Sequence, residues 1–505
     1  MRAIQYAVVD KIWGNDIKWR LEIRGNDIKW CLEIWGNENY LQNPLSFKKI
    51  VVPLQSQTIL PLMNIIFRRK LYDRMLSWKR EKSGQTALLV EGARRVGKTT
   101  LVRQFAENEY ESYLIIDFNQ ISDRILHLFD DISNLNYLFL TLQTEFGVKL
   151  IERKSIIVFD EVQKCPKARQ AIKYLVADGR YDYVETGSLI SIRKNVKDIT
   201  IPSEEERILL NPLDFEEFLW AIGQNALSDL LRQYYEQKVC LGAALRSVMR
   251  TTRLYMLVGG MPQAVDCYLT TNNLADVDAV KRGIINLYIE DFNKIDSTGR
   301  LAMLYQNIPA QLNGNISRYM TGAVIGRTDE DKTAELLSEL EQSRTVLLCH
   351  NCTNPMVGMQ LCKDLKRYKM YCADTGLFVT MAFWDKEFTD NIIYNKLLSD
   401  KLETNLGYVY ENLVAQMLHA QGNKLFYHTW QKDERHYYEI DFLLSRANKL
   451  VPVEVKSSGY HTHSSIDAFC NKYSNLVSHA VMLYTKDFKR DLLVEMYPVC
   501  MTGFV

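Results

Sequence analysis

The stretch GARRVGKTT, residues 92–100, decides the fold class of this 505-residue chain. It matches the pattern G-x-x-x-x-G-K-[ST], in which the glycines let backbone N–H groups turn inward around phosphate. The apolar run TALLVEG (86–92) precedes it, and KTTLVRQFAEN (98–108) continues it with helical periodicity. A strand, a glycine-rich turn and a helix in this order predict a phosphate-binding loop that faces a helix N-terminus.

The loop predicts its own ligand contacts. Lys98 is expected to reach the β- and γ-phosphates, and Thr99 is expected to offer its hydroxyl to Mg²⁺. The expected nucleotide-binding residues are Gly92, Ala93, Arg94, Arg95, Val96, Gly97, Lys98, Thr99 and Thr100. Two interpretations of Arg94 and Arg95 stay open: contact with phosphate or a neighbouring subunit, and a plain solvated position.

The run SIIVFDE (155–161) supplies the acids that such a loop requires. A carboxylate that follows a parallel strand beside the loop can hold the Mg²⁺ shell, and a second can polarise the attacking water. We therefore expect Asp160 on the metal side and Glu161 as the catalytic base, while a helix cap is the structural alternative for Asp160. The next strand ends in ETGS, where Thr186 or Ser188 can face the γ-phosphate.

Composition and charge exclude several protein classes. The chain is 47% hydrophobic and 24% charged, with a net charge of +1. This balance gives no global basic field, so any contact with nucleic acid must be a local patch. The sequence contains no apolar run of about 18 residues and opens without a signal peptide, so we expect a cytoplasmic protein with no membrane partner.

The ten cysteines are widely scattered, which predicts free thiols in a reducing compartment. The alternative is a zinc site. Its candidate ligands are Cys349, Cys352, Cys362 and Cys372.

The N-terminus carries a tandem repeat, GNDIKWRLEIR (14–24) followed by GNDIKWCLEIW (25–35). Each unit opens with a turn signal and then alternates apolar and polar residues, which predicts a turn and a strand. We expect residues 1–62 to be an extension outside the core fold, produced by a recent duplication, with the working protein beginning near Met63. A genuine small β appendage is the competing interpretation.

Downstream of the loop the pattern changes along the chain. Residues 86–210 alternate apolar strands with helices, which predicts a parallel α/β sheet. Residues 213–297 are mostly helical by period, and the chain from about 400 is α/β again. Residues 298–385 are predicted as three helices followed by short strands, which is the order of a winged helix. The helix DEDKTAELLSELEQSR (329–344) is strongly acidic and therefore suits a protein contact or a solvated face better than a DNA groove.

An acidic hairpin lies near the C-terminus, in YEIDFLLS (438–445) and LVPVEVK (450–456). A turn between Ala447 and Asn448 would place Asp441 opposite Glu454, and Glu439 opposite Lys456. Directly opposed carboxylates destabilise a strand pair, and a divalent cation would remove that repulsion. The expected metal ligands are Asp441 and Glu454, with Lys456 orienting or deprotonating a water and Glu411, on helix YVYENLVAQML, as a further acid. A surface salt bridge without chemistry is the alternative.

Several segments in order resemble prokaryotic AAA-like ATPases with a C-terminal restriction-endonuclease-like domain of the PD-(D/E)xK type. These segments are EGARRVGKTTLVRQFA, IIVFDEVQK, ETGSL, LLNPLDFEEFL, LVGGMPQAV, MYCADTGL, GYVYENLVAQML, YEIDFLL and VPVEVKSS. The resemblance covers about residue 63 to the end. It implies a P-loop ATPase core (63–212), a helical lid (213–297), a winged-helix-like region (298–385) and a nuclease-like domain (386–505).

The resemblance also implies ATP and Mg²⁺ as cofactors, and it places the nuclease residues on Glu411, Asp441, Glu454 and Lys456. The main hypothesis is an ATPase whose nucleotide state controls a metal-dependent nuclease-like domain acting on DNA or RNA. The alternative is a nucleotide-gated switch or scaffold whose silent nuclease fold binds a partner. A protein partner on the winged-helix region and an oligomeric assembly are compatible with both.

Overall fold

The computed structural model describes the side chains and backbone of residues 66–187, 202–314, 317–327, 329–385, 407–457 and 463–505, and the backbone of three strands before residue 36. The chain divides into two compact units, Met1–Ile65 and Ile66–Val505.

The first unit contains an antiparallel sheet of β1 (Tyr6–Ile12), β2 (Asn15–Arg24) and β3 (Asp27–Trp35), paired in that order. Each copy of the repeat forms one strand, so the prediction of a strand per repeat is confirmed. The strand before the repeat adds a third member that the repeat pattern did not predict. A start of the working protein near Met63 stays a prediction.

A parallel five-stranded sheet forms the centre of the second unit. Its strands are β4 (Ala87–Glu91), β5 (Ser112–Asp117), β6 (Ser155–Asp160), β7 (Asp182–Gly187) and β8 (Glu205–Leu209), in the order β5-β6-β7-β4-β8. The helices that accompany it are α1 (Lys70–Lys82), α2 (Lys98–Glu109), α3 (Asp123–Leu128), α4 (Leu135–Phe146) and α5 (Pro166–Asp178). Strands β4, β6 and β7 are buried along their whole length because two apolar layers cover the two faces of the sheet. The predicted parallel α/β sheet is confirmed.

Helices follow the sheet, as the sequence predicts for residues 213–297. They are α6 (Phe215–Ala221), α7 (Asn225–Gln237), α8 (Leu245–Val258), α9 (Pro262–Thr271) and α10 (Leu274–Ile295). The break between α8 and α9 needs glycine, because Gly259 has φ 83° and a Cβ on Gly260 would lie 2.0 Å from the Leu213 carbonyl oxygen. The segment after β8 therefore packs directly on this break.

The middle region contains short helices and then an antiparallel strand pair. Its elements are α11 (Arg300–Gln306), α12 (Ile308–Asn313), α13 (Thr321–Ile325), α14 (Glu330–Gln342), β9 (Val346–Cys352), β10 (Lys363–Cys372) and α15 (Thr375–Ala382). The described part therefore has four helices before the strands, where the sequence predicted three. The winged-helix assignment stays a prediction.

The C-terminal region is mixed α/β. Its elements are α16 (Gly407–Ala420), β11 (Phe426–Gln431), β12 (Tyr437–Ile440), β13 (Phe442–Arg446), β14 (Lys449–Val455), α17 (Ser464–Lys472), β15 (Ala480–Tyr484), β16 (Lys489–Asp491) and β17 (Val494–Pro498). One sheet has the order β13-β14-β15-β17-β16. The other, β10-β9-β11-β12, joins strands from both sides of residue 385, because β9 pairs in parallel with β11. The two segments therefore share one sheet across the predicted boundary.

The acidic hairpin has the predicted register in part. Phe442 pairs with Val453 and Arg446 with Lys449, which confirms the turn position inferred from the sequence. The chain breaks at Asp441, and β12 leaves the hairpin to pair with β11, so Glu439 faces Thr429. The prediction that Glu439 lies opposite Lys456 was therefore wrong.

The cysteines also differ from the expectation. Cys352 and Cys362 form a disulfide, because the β9–β10 pairing brings their Cα atoms to 5.3 Å. The expectation of free thiols was wrong for this pair. The remaining described cysteines are free, and most are buried in the core. The disulfide uses two of the four thiols of the zinc alternative.

Candidate functional site

The loop between β4 and α2 closes around its own lysine. Arg95 (φ 68°) and Gly97 (φ 97°) take left-handed backbone conformations, which curl the loop. The Lys98 ammonium donates to the carbonyl oxygens of Gly92 and Ala93, both at 3.0 Å. The side chain is buried, so desolvation lowers the pKa of Lys98, while the charges of Glu161 and Asp160 act in the opposite direction.

The predicted metal-side residues meet beside this loop. The Thr99 hydroxyl donates to the two carboxylate oxygens of Asp160 at 2.9 and 3.0 Å, and the Thr186 hydroxyl donates to the same carboxylate. They meet because β7 lies between β4 and β6, so the carboxyl ends of all three strands share one sheet edge. Asp160 therefore contacts the loop rather than capping a helix. Hydroxyl and carboxylate oxygens are ligands that Mg²⁺ accepts, so these side chains fit the ion.

Glu161 lies next to Asp160 in a left-handed conformation with φ 55°. Its N–H donates to Thr186 Oγ1 at 3.2 Å, and the Gln163 amide donates to its carboxylate. Thr186 thus touches both predicted acids, whereas Ser188 lies outside the described residues. Thr100 and Arg95 are exposed at the surface of the loop.

Residues from distant segments hold the loop, and the sequence pattern did not reveal them. Arg69, which precedes α1, donates to the carbonyl oxygens of Val96 (3.2 Å) and Asn211 (2.5 Å). Arg94 forms an ion pair with Asp291 of α10 at 2.9 Å, and Tyr288 donates to the Arg94 carbonyl. Neither interpretation of Arg94 from the sequence included this pairing with the helical region.

A second polar cluster lies at the end of the acidic hairpin. Asp441 accepts the Val455 N–H at 2.8 Å, and the Lys456 ammonium contacts the Glu454 carboxylate. Desolvation raises the pKa of Asp441 to about 8, with the nearby charges of Glu411 and Glu454 acting in the same direction and Lys369 against them. Asp441, Glu454, Lys456 and Glu411 thus lie in one region.

The sequence analysis missed Lys369, although a lysine inside the apolar run YKMYC was a signal. Its ammonium, on β10, lies 2.7 Å from Glu411 Oε1 and 2.7 Å from Glu439 Oε1. The side chain is only 6% exposed. The Tyr371 hydroxyl donates to the same oxygen of Glu411 at 2.5 Å.

The ion pairs of Lys369 bear on whether the predicted ligands Glu411, Asp441 and Glu454 can bind a metal ion. Lys369 and Tyr371 both donate to Glu411 Oε1, so this oxygen already has two partners. Within the part of the chain that the structure describes, no group of three or more His, Cys, Asp or Glu side chains is arranged to hold a metal ion. As arranged here, Glu411, Asp441 and Glu454 do not fit a divalent cation.

No helix among the described residues is long and apolar enough to span a membrane.

Three protein-family models match successive parts of the chain. An AAA domain matches residues 84–219, and two domains of unknown function, DUF8612 and DUF4143, match residues 249–387 and 406–500. No curated protein matches the chain in sequence.

Solved structures are similar at low identity. PCH-2 of C. elegans is 12% identical over 42% of this chain and 65% of its own, with a TM-score of 0.25. The RuvB Holliday junction branch migration motor of Thermotoga maritima is 15% identical over 57% of this chain and 90% of its own, with a TM-score of 0.25. Cdc6p of Pyrobaculum aerophilum is 13% identical over 66% of this chain and 93% of its own, with a TM-score of 0.22. The family match and the parallel sheet together support an ATPase domain of the AAA type at residues 84–219.

Proposed function

We propose that the protein is an ATP-hydrolysing switch whose nucleotide state acts on its C-terminal region. The observation that carries this is the contact of Thr99 with Asp160 beside the buried Lys98. In the proposed reaction Lys98 would bind the β- and γ-phosphates, and Thr99 and Asp160 would hold Mg²⁺, which would offset charge on the phosphate oxygens. Glu161 accepts the proton of the attacking water.

Nucleotide binding acts on two contacts of the loop. Lys98 donates to two loop carbonyls, so a phosphate would accept the third ammonium N–H or replace one of those carbonyls. Glu161 is held by Gln163, so the carboxylate would have to turn from that amide toward the water. Both changes are local and leave the sheet in place.

A buried hydrogen-bond network supports the transmission of these changes. Tyr255 of α8 donates to the Leu213 carbonyl at 2.6 Å, two residues after Asn211, which Arg69 ties to the loop. Gln416 of α16 donates to Tyr255 at 2.8 Å and accepts from Thr375 at 2.8 and 2.7 Å.

The far end of this network reaches the second cluster. Asn412 accepts the N–H of Cys372 at 2.8 Å, and its neighbour Glu411 pairs with Lys369. Helix α16 is therefore linked through Tyr255 to the segment behind the phosphate loop, and it contributes Glu411 to the carboxylate cluster. A chain of packed, hydrogen-bonded groups can carry coupling, and only a measured coupling establishes it.

Metal-dependent cleavage of DNA or RNA is the second candidate function. The convergence of Asp441, Glu454 and Lys456 favours it, as does Glu454 Oε2, which is buried without a hydrogen-bond partner among the described residues. The ion pairs of Lys369 oppose this candidate, so the switch is our first proposal. Cytoplasmic location, an oligomer and a protein partner stay predictions.

Two assays test these proposals. Purified protein should release phosphate from ATP, and Lys98→Ala should remove that turnover. For the second candidate, labelled DNA and RNA are incubated with Mg²⁺ or Mn²⁺, with and without ATP. Cleavage that Asp441→Ala abolishes would establish a nuclease. Substrates that stay intact under all conditions would favour the nucleotide switch over the nuclease.

A further inference from the structure

The carboxylate cluster takes one of its cations from a different part of the chain. Glu411, Asp441 and Glu454 lie within the segment matched by DUF4143, whereas Lys369 lies within the segment matched by DUF8612. Strand β10 carries Lys369 into the cluster because β9 pairs with both β10 and β11. The position of Lys369 therefore depends on the middle region.

The charges in the cluster are unequal. Four carboxylates belong to it: Glu411, Glu439, Asp441 and Glu454. Two ammonium groups face them: Lys456, which contacts Glu454, and Lys369, which contacts Glu411 and Glu439. A nearby cation, either a metal or a protein side chain, stabilises carboxylates that are partly removed from water. Here the ammonium of Lys369 is that cation for two of the four.

We propose that Lys369 takes the place of a divalent cation in this cluster, so that the site excludes metal while β10 holds the lysine there. The Lys369 ammonium lies 2.7 Å from Glu411 Oε1 and 2.7 Å from Glu439 Oε1, so a metal ion has no room between the ammonium and either carboxylate. The inference deepens the proposed switch, because removal of Lys369 from the cluster would convert a silent site into a metal site. It does not depend on ATP binding.

A simple structural ion pair is the competing explanation, and metal binding separates the two. In Lys369→Met the side chain keeps its unbranched shape, becomes one heavy atom shorter and loses its charge. We expect this variant to gain one Mn²⁺ site per chain, with affinity tightened by on the order of a hundredfold over the wild type, because a unit charge of the same sign is removed from beside the ion. The probe is Mn²⁺ alone, titrated without nucleotide and followed by calorimetry and by the electron paramagnetic resonance of free Mn²⁺.

The controls use the same strand and the same cluster. Lys366→Met removes a charge from an exposed position of β10 and should gain no site. Lys369→Arg keeps the charge and should also gain none. Adding Asp441→Asn to Lys369→Met should abolish the gained site, which separates it from any weak binding at Thr99 and Asp160.

Loss of Lys369 also leaves two carboxylates unpaired, so a second variant guards against misfolding. Lys369→Met with Glu439→Gln removes one charge of each sign and keeps the other three acids. Mn²⁺ binding by either folded variant supports the proposal. The proposal is overturned if neither variant, once shown to be folded, binds Mn²⁺ better than the wild type, or if the wild type already binds Mn²⁺ through Asp441. ATP binding by the wild type, measured separately, tests the switch itself.

Discussion

Gln416→Leu is the substitution that most directly probes the network between the nucleotide loop and the C-terminal region. Gln416 is buried and makes three hydrogen bonds, two from Thr375 and one to Tyr255. Leucine is similar in size and can accept or donate none of them. Thr375 is then left with two buried donors and Tyr255 without the amide that donates to its oxygen.

The expected loss of stability follows from those groups. An unsatisfied buried polar group costs about 1–3 kcal/mol, and the Asn412 amide, which donates to the Thr375 hydroxyl oxygen, cannot accept the hydroxyl hydrogen. Because the Thr375 N–H and hydroxyl both lose their acceptor, the free energy of unfolding should fall by roughly 2–6 kcal/mol. The measurement is urea denaturation followed by circular dichroism, with ATP binding measured in parallel.

The matched control is Gln421→Leu, just after the same helix. Gln421 is exposed, and its amide donates to the Thr502 carbonyl at 3.2 Å. This change should cost less than about 1 kcal/mol. A Gln416→Leu protein as stable as the control would refute the reasoning that these bonds hold α16 to the ATPase side. A large loss in both variants would show that the helix end, and not the network, sets stability.

Other expected outcomes concern the two clusters. Glu161→Gln should lower ATP turnover by about 10²–10⁴-fold while ATP binding is kept, because the amide cannot accept the proton of water. Phosphate release measures turnover and calorimetry measures binding. A loss of ATP binding equal to the loss of turnover would contradict the assignment. For Asp441, the folded-state pKa of about 8 exceeds the ordinary value of 3.8. Its contribution to stability is therefore fully present below pH 3.8 and is lost as pH rises through about 8. In metal-free buffer, the melting temperature of Asp441→Asn minus that of the wild type should therefore increase as pH rises from 5 to 8.5. A difference in melting temperature that does not vary with pH would contradict this.

The phosphate loop could be predicted from the sequence because its information is local. Gly97 and Lys98 must occupy adjacent positions for a loop to curl around phosphate and start a helix. The carboxylate that follows β6 needs only the rule that parallel strands end at one sheet edge, which is why Thr99 and Asp160 meet as expected. The register of β13 with β14 followed from a turn position and side-chain alternation.

Contacts between distant segments could not be predicted in the same way. The ion pair of Lys369 with Glu411 depends on β9, which pairs with strands from both sides of residue 385. No local sequence pattern predicts that β9 pairs with β11. The break at Asp441 depends on β11 offering β12 a partner outside the hairpin. The Cys352–Cys362 disulfide likewise depends on the register of β9 with β10.

The central claim is that a nucleotide with its magnesium binds at residues 92–100. Titration calorimetry of the folded wild type with Mg²⁺ and ATP tests it, beside Lys98→Ala, whose circular dichroism spectrum should match. The wild type should bind one ATP per chain, and the variant should bind at least about tenfold more weakly because a charge-assisted contact to phosphate is lost. A folded wild type that binds no nucleotide, or a variant that binds as tightly, would contradict the account.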